Sequence, residues 1–167
     1  MTLDSAVDDR LAEAIALREG GEDQAALAAL LELHAEEPQH PVVNLQCAWI
    51  HDKLGLESEA VPFYEQALEG GLEGDDLRAA LLGLGSTYRA LGRYPESLRT
   101  LERGSAEFPH EHAMSVFRAM ALYNNGLTKE GCQLLLTVLI ETTSDDSIVS
   151  YRGAIEEYAR DLDRTWS

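Results

Sequence analysis

Four glycines recur along the chain at nearly constant intervals, each where one helical apolar pattern ends and another begins. They are Gly21, Gly55, Gly92 and Gly126, separated by 34, 37 and 34 residues. An interval of this length holds two helices and their turns, so the period predicts a chain of stacked helical hairpins. The register defines four units at 7–40, 41–74, 78–111 and 112–145, with residues 75–77 as a three-residue insertion.

Small residues at two places of each unit support this register, because antiparallel helices approach closely only where both carry small side chains. The eighth and twentieth places hold Ala14, Ala48, Gly85 and Ala119, and Ala26, Ala60, Ser97 and Gly131. Bulky groups are predicted to fill the space between hairpins from the eleventh and twenty-fourth places. These groups are Leu17, His51, Tyr88 and Leu122, and Leu30, Tyr64, Leu101 and Leu135.

Two stretches, AWIHDKLGLESEAVPFYEQA at 48–67 and LLGLGSTYRALGRYPESLRTL at 81–101, resemble the tetratricopeptide repeat (TPR). The resemblance covers about residues 7–145 and implies an all-α, right-handed superhelical α-solenoid of about four hairpins. With its tail ending YARDLDRTW, the chain also resembles a group of small stand-alone bacterial TPR proteins that have no assigned activity. The resemblance implies a binding scaffold and does not name what is bound.

The composition agrees with a helical chain that buries a core. It includes 26 Leu and 21 Ala, residues that lose little side-chain freedom in a helix. The apolar content of 45% exceeds that of acidic disordered chains. A length of 167 residues suits one domain, which is predicted to span 1–167.

The net charge excludes two classes of partner. Thirteen basic and 30 acidic residues give −17, and such a charge repels nucleic acid and anionic membrane surfaces. The longest apolar stretch, 134–140, is far shorter than the ~20 residues needed to span a bilayer. Two cysteines without a CxxC pair, and an N-terminus without signal-peptide features, predict a protein of the reducing cytoplasm.

Residues 145–166 are predicted to form one more amphipathic helix, because apolar residues recur there at three- and four-residue spacing. These residues are Ile148, Tyr151, Ile155, Tyr158, Leu162 and Trp166. Ser144, Asp145 and Asp146 are expected to cap its N-terminus. Three roles are open to this helix: it caps the last hairpin, folds into the groove or contacts a second copy of the chain.

The first helix of each unit is expected to line the concave surface, with places 2, 5, 9, 12 and 13 facing it. In the second unit these places hold Val42, Leu45, Trp49, Asp52 and Lys53. The residues predicted to contact a partner are Leu45, Trp49, Lys53, Leu82, Arg89, Val116, Met120, Tyr123 and Asn124. Apolar anchors with polar edges favour a peptide or a helix as the ligand. The apolar members equally suit packing against neighbouring helices.

Places 5 and 9 exclude a carboxylate clamp, in which Lys and Asn grip the acidic tails of chaperones. Here the two places hold Leu45 and Trp49 in the second unit, and Leu82 and Ser86 in the third. The predicted function is therefore a protein-interaction scaffold whose partner is a protein or peptide, with basic and apolar segments.

A homodimer formed through the groove or the C-terminal helix is the alternative. Its motivation is the uneven charge, since residues 1–77 carry −15 and residues 78–167 carry −2. The third unit contains the arginine cluster of Arg89, Arg93, Arg99 and Arg103. This cluster in one copy is complementary to the acidic half of another.

No catalytic, cofactor or metal site is predicted. His110 and His112 lack the HExxH spacing of a zinc site and fall in a predicted turn. Cys47 and Cys132 have no neighbouring histidine to activate them and are interpreted as small packing groups. The chain is expected not to be an enzyme.

Overall fold

A computed structural model of the chain describes residues 3–165, and within that range all regular structure is helical. The helices are α1 Leu3–Glu19, α2 Asp23–Glu36, α3 Pro41–Lys53, α4 Glu57–Glu69, α5 Gly74–Ala90, α6 Tyr94–Glu107, α7 His112–Asn124, α8 Thr128–Thr142, α9 Asp146–Val149 and α10 Arg152–Arg160. The predicted all-α class is confirmed.

The helices group into two compact units, with unit 1 ending at Leu91 and unit 2 beginning at Gly92. In unit 1, α1 packs against α2, α3 packs against α4, and α5 packs against α4 and α3. In unit 2, α7 packs between α6 and α8, and α10 packs on α8. The predicted third hairpin therefore has its first helix in unit 1 and its second helix in unit 2.

The four periodic glycines end helices in the left-handed conformation that residues with a side chain rarely adopt. Their φ angles are 82° at Gly21, 72° at Gly55, 73° at Gly92 and 80° at Gly126. At the second of these turns the Gly55 amide donates to the Asp52 carbonyl at 3.0 Å, and the next amide donates to the His51 carbonyl at 2.9 Å. This pair of bonds satisfies carbonyls at the helix end. The predicted helix breaks are confirmed.

All eight small residues at the predicted crossing places are buried. In unit 2, helices α7 and α8 approach each other closely at one of these places. A Cβ added to Gly131 would lie 2.8 Å from the Ala119 carbonyl oxygen, so a larger residue would displace backbone. The places at Ala119 and Gly131 are thus confirmed as a point of close helix contact.

The bulky residues at the twenty-fourth place are buried, as predicted, in every repeat unit except the last. Leu30, Tyr64 and Leu101 at the twenty-fourth place have at most 1% of their surface exposed, whereas Leu135 is 43% exposed. The prediction is wrong for Leu135 because the repeat pattern ends with α8, and the shorter α10 takes the place of a full hairpin.

The insertion at 75–77 lengthens one helix. Helix α5 has 17 residues, whereas the equivalent helices α3 and α7 have 13 each. Its first residue, Gly74, has a φ of 55°, so the helix starts immediately after a turn that requires glycine. The added residues thus extend α5 by about one turn at its N-terminus.

The predicted single C-terminal helix is two short helices. Asp145 does cap α9, and its carboxylate accepts from the Ser147 amide at 2.8 Å, but the helix breaks at Ser150 and Tyr151. None of the residues of α9 or α10 is buried, and Tyr151 and Tyr158 are 67% and 47% exposed. Trp166, which was predicted to continue the apolar stripe, lies outside the described residues.

Polar contacts attach α10 and the residues after it to α8. Lys129 donates to Asp161 at 2.5 Å and to Asp163 at 2.8 Å, and the Gln133 amide donates to the Ala159 carbonyl at 2.8 Å. These bonds join the surface of α8 to the end of α10 and the residues that follow it.

Candidate functional site

Trp49 lies partly exposed on α3, and a side chain from α1 holds one face of its ring. The Arg18 guanidinium carbon is 5.2 Å from the ring centroid, within the range of a cation–π interaction. The Arg18 Nε also donates to the Gln46 amide oxygen at 3.0 Å. Since Trp49 packs against the core of unit 1 as well, its orientation is determined before any partner binds.

Lys53, predicted to contact a partner, joins helices within unit 1. Its ammonium donates to the Asp23 carboxylate at 2.6 Å and to the Arg18 backbone carbonyl at 3.0 Å. The two bonds fasten the end of α3 to the turn between α1 and α2. Two of the three ammonium donors of Lys53 are thus engaged inside the molecule.

Leu45, the other predicted contact on α3, has none of its surface exposed. It packs in a cluster with Ala48, Tyr64, Ala80 and Leu84, so it contributes to the core beneath the surface and offers a partner no area. The physical reason is that α4 and α5 both pack against α3, which closes that side of the helix.

Asp52 is a partly buried carboxylate with two hydroxyl donors. Tyr64 Oη donates to it at 2.7 Å, and Thr87 Oγ1 lies 2.9 Å from the nearer carboxylate oxygen. The Thr87 hydroxyl also lies 2.9 Å from the Gly83 carbonyl, so its single proton is shared between two acceptors. Burial raises the pKa of the Asp52 carboxyl, although both hydroxyls oppose the shift. None of the basic side chains of residues 3–165 forms an ion pair with Asp52.

A depression of about 220 Å³ opens beside this carboxylate. The residues that line it, hereafter the Asp52 depression, are Asp52, Glu57, Ser86, Thr87 and Ala90. Trp49 lies three residues before Asp52 and therefore on the same face of α3, about one turn away. The depression thus combines two carboxylates with the hydroxyls of Ser86 and Thr87.

Two further predicted residues, Leu82 and Arg89, share one face of α5 with Ser86, because the three are spaced by four and three residues. Leu82 and Arg89 are partly buried. The Arg89 Nε is buried without a hydrogen-bond partner.

The predicted contacts in unit 2 form a second surface, on α7. Val116, Met120 and Tyr123 follow at four- and three-residue spacing and share one face. Tyr123 is 66% exposed, whereas Val116 and Met120 are partly buried. The side-chain oxygen of Asn124 is buried without a hydrogen-bond partner. This surface is apolar and uncharged, unlike the one on α3.

The two cysteines occupy opposite environments. Cys47 has none of its surface exposed, and burial raises the pKa of its thiol to about 12, so it packs as a neutral group. Cys132 is exposed, and its interpretation as a packing group is wrong, because one residue past Gly131 the helix has turned by about 100° away from the crossing.

Within residues 3–165, no three His, Cys, Asp or Glu side chains are grouped so that they could hold a metal ion. Over the same range, none of the helices has the length and apolar content needed to cross a membrane. His112 lies 3.6 Å from Glu141, a single surface pair.

Gln46, Tyr64 and Thr87 orient Trp49 and Asp52, but only Tyr64 was predicted from the sequence, and only as a bulky residue between hairpins. Tyr64 and Thr87 are polar residues on sides of their helices that face the core. A hydroxyl in such a position needs an acceptor, and that need was the available signal. The sequence did not indicate that this acceptor is Asp52, because the hydrogen bonds are made between different helices.

The fold defines an α-helical repeat protein. A family model described as tetratrico peptide repeat matches residues 41–162. The chain therefore belongs to the tetratricopeptide repeat family. Proteins of this family typically act as protein-interaction modules.

Solved structures show the same fold. YrrB, a TPR protein with an unusual peptide-binding site, is 17% identical, and the match covers 98% of this chain and 86% of YrrB with a TM-score of 0.73. A TPR protein from Parabacteroides merdae is 17% identical over 93% of this chain and 60% of its own, with a TM-score of 0.71. A Podosopora anserina protein with nearly identical TPR-like repeats is 21% identical over 97% and 93%, with a TM-score of 0.69. None of the curated proteins matches by sequence.

Proposed function

We propose that this protein is a non-enzymatic scaffold that binds a peptide or helix of a protein partner across α3 and α5 of unit 1. The observation that carries the proposal is the preorganised Trp49 ring. Arg18 holds one face of it, and Asp52, one turn later on the same face of α3, lines a depression of about 220 Å³. Tryptophan is among the residues that dominate binding energy at interfaces, and a ring already held in place loses little entropy on binding.

The charges around Trp49 support a partner other than an acidic tail. Asp52 and Glu57 line the depression, and unit 1 contains 18 acidic and 5 basic residues. Such a surface repels a carboxylate and attracts a basic segment. The similarity in fold to YrrB, which has an unusual peptide-binding site, is consistent with a peptide as the ligand.

A peptide selection tests the proposal directly. A phage-displayed library of random dodecapeptides is panned against the full chain, and selected peptides are synthesised with a fluorescent label for anisotropy titration. We expect Trp49→Ala to weaken their binding about tenfold or more. Since the chain contains two tryptophans, Trp166→Phe leaves Trp49 as the only indole, and its fluorescence should change on binding.

Leu31→Ala is the matched control, because Leu31 is an exposed apolar residue of unit 1 on α2. Its binding should equal that of the wild type. If no peptide is selected, or if Trp49→Ala and Leu31→Ala bind equally well, the proposed surface is wrong.

Self-association is a second candidate, and the exposed apolar residues of unit 2 favour it. They lie on α8 and on the C-terminal segment: Leu135, Leu139, Val149, Tyr151, Tyr158 and Leu162. We expect light scattering to give a dimer mass at high micromolar concentration and Leu135→Glu with Tyr158→Glu to give a monomer. A monomeric wild type at low and high salt excludes this candidate.

A further inference from the structure

We infer that the Asp52 depression holds the side chain of a lysine or arginine from the partner, next to an apolar partner residue seated on Trp49. The inference rests on the proposed function and adds the chemistry of one partner residue that is held in the depression. The occupant of the Asp52 depression is a basic peptide segment.

The first step is that the Asp52 carboxylate is positioned but not neutralised. Tyr64 donates to one carboxylate oxygen, and the Thr87 hydroxyl lies within 3.0 Å of both, so the group is oriented by hydroxyls that supply no positive charge. The nearest basic residue along α3, Lys53, is bound to Asp23. Arg89, on the same face of α5 as Ser86, forms no ion pair with Asp52. A carboxylate has about four acceptor positions, so it has capacity for a further donor.

The second step is the shape and polarity of the space in front of it. The depression of about 220 Å³ is lined on α5 by Ser86, Thr87 and Ala90 and at the start of α4 by Glu57. Small side chains leave room for a long, thin aliphatic stem, and the second carboxylate adds attraction for a cation. An ammonium or guanidinium group meets these requirements, since it donates several charge-assisted hydrogen bonds at the end of an apolar stem.

The third step is the neighbouring Trp49, one turn before Asp52. An apolar partner residue packed on this ring would exclude water from the adjacent ion pair, which strengthens the pair. The arrangement therefore specifies two adjacent anchors of different chemistry. Net charge agrees, because the 18 acidic residues of unit 1 attract a basic segment from a distance.

The test compares arginine with citrulline, which keeps the shape of the side chain and removes its charge. Peptides from the selection described above are resynthesised with each arginine or lysine replaced in turn by citrulline or norleucine. One replacement should weaken binding to the wild type about five- to tenfold. The same replacement should have little effect on the affinity of the peptide for Asp52→Asn. The amide of this variant retains an acceptor for the hydroxyls of Tyr64 and Thr87.

Glu59→Gln is the matched control. It removes one negative charge from the same unit at an exposed position on α4, away from the depression. It should keep the full preference for arginine over citrulline. Ser86→Lys is a second variant that leaves Asp52 in place and supplies a competing cation, and it should weaken basic peptides about tenfold.

Failure of this inference is distinguishable from failure of the proposed function. If Trp49→Ala weakens the peptides but citrulline binds as well as arginine, the scaffold function stands and the basic anchor is wrong. If the wild type and Asp52→Asn prefer arginine over citrulline equally, the basic side chain binds at another position and the assignment to Asp52 is overturned. If Trp49→Ala has no effect, the surface itself is wrong.

Discussion

The two units of this protein divide charge and packing differently. Unit 1 contains 18 acidic and 5 basic residues, and unit 2 contains 12 and 8. The more highly charged unit is also the better packed one. It contains two clusters of buried apolar residues and four of the five buried polar residues recorded in the described chain.

Unit 2 shows the opposite balance. Among the described residues, it contains nine large hydrophobic side chains that are exposed, whereas unit 1 contains three. The last helices of unit 2, α9 and α10, contain no buried residue. A regular repeat thus produces unequal units where the pattern ends, because the last helices have fewer neighbours.

We expect the largest difference in the free energy of unfolding at the twenty-fourth repeat place, which is occupied by Tyr64 in unit 1 and by Leu135 in unit 2. Tyr64 is 1% exposed and Leu135 is 43% exposed. Tyr64→Ala should lower the free energy of unfolding by about 3–5 kcal/mol, and Leu135→Ala by less than about 1 kcal/mol. Urea titration followed by circular dichroism measures both. Tyr64→Phe, which removes only the hydroxyl, should cost about 1 kcal/mol. Equal losses for the two alanine variants would remove the distinction between the units.

A pair of glycines tests whether unit 2 is loosely packed throughout. A Cβ at Gly131 would lie 2.8 Å from a carbonyl oxygen of α7, whereas one at Gly153 in α10 would meet no atom within 4 Å. We expect Gly131→Ala to destabilise the protein by about 1–3 kcal/mol. Gly153→Ala should stabilise it by about 0.5–1 kcal/mol, because alanine favours the helix. The thermal unfolding midpoints should therefore move in opposite directions, and a common direction would contradict this account.

The pH dependence of the stability of Asp52→Asn tests how burial of Asp52 affects unit 1. Burial raises the pKa of Asp52, so the folded state binds its proton more tightly than the unfolded state does. Ionised Asp52 therefore lowers stability at pH 7, and this penalty decreases as the pH falls through the folded-state pKa towards the unfolded value of about 3.9. The urea midpoint of Asp52→Asn should equal or exceed that of the wild type at pH 7, and the difference should diminish near pH 4. A less stable variant, by an amount independent of pH, would show that the two hydroxyl bonds to the carboxylate outweigh its burial.

The smallest effect concerns the attachment of the C-terminal segment to α8. Lys129 binds Asp161 and Asp163, and its hydrogen bond lowers the pKa of Asp161. Lys129→Gln should increase the rate of tryptic cleavage after Arg160 by about two- to fivefold. Lys129→Arg should leave the rate unchanged because it keeps the charge. Because the pKa of Asp161 is lowered in the folded state, the attachment is present above its unfolded pKa and is lost as the pH falls through the folded value. Equal cleavage rates for both variants would show that apolar contacts hold the segment.

Several residues of the candidate site were predictable from the repeat register, and others were not. The register placed Trp49 and Tyr123 on first helices, where the structure has them partly or largely exposed. It placed Leu45 beside them, but packing of α4 and α5 buries that side of α3 completely. Lys53 is bonded within unit 1 because α1 ends beside it, and no periodicity along α3 contains that information.

The repeat period, the helix breaks and the small residues expected to be buried could all be predicted from the sequence. These features depend on local properties, and the structure has glycines at positive φ and buried small residues at the predicted positions. Only the tertiary structure decided which first-helix residues remain at the surface, that Tyr64 and Thr87 orient Asp52, and that the last apolar residues stay exposed. The physical reason is that exposure and hydrogen bonding depend on neighbours from other helices, and the number of those neighbours falls where the repeat ends.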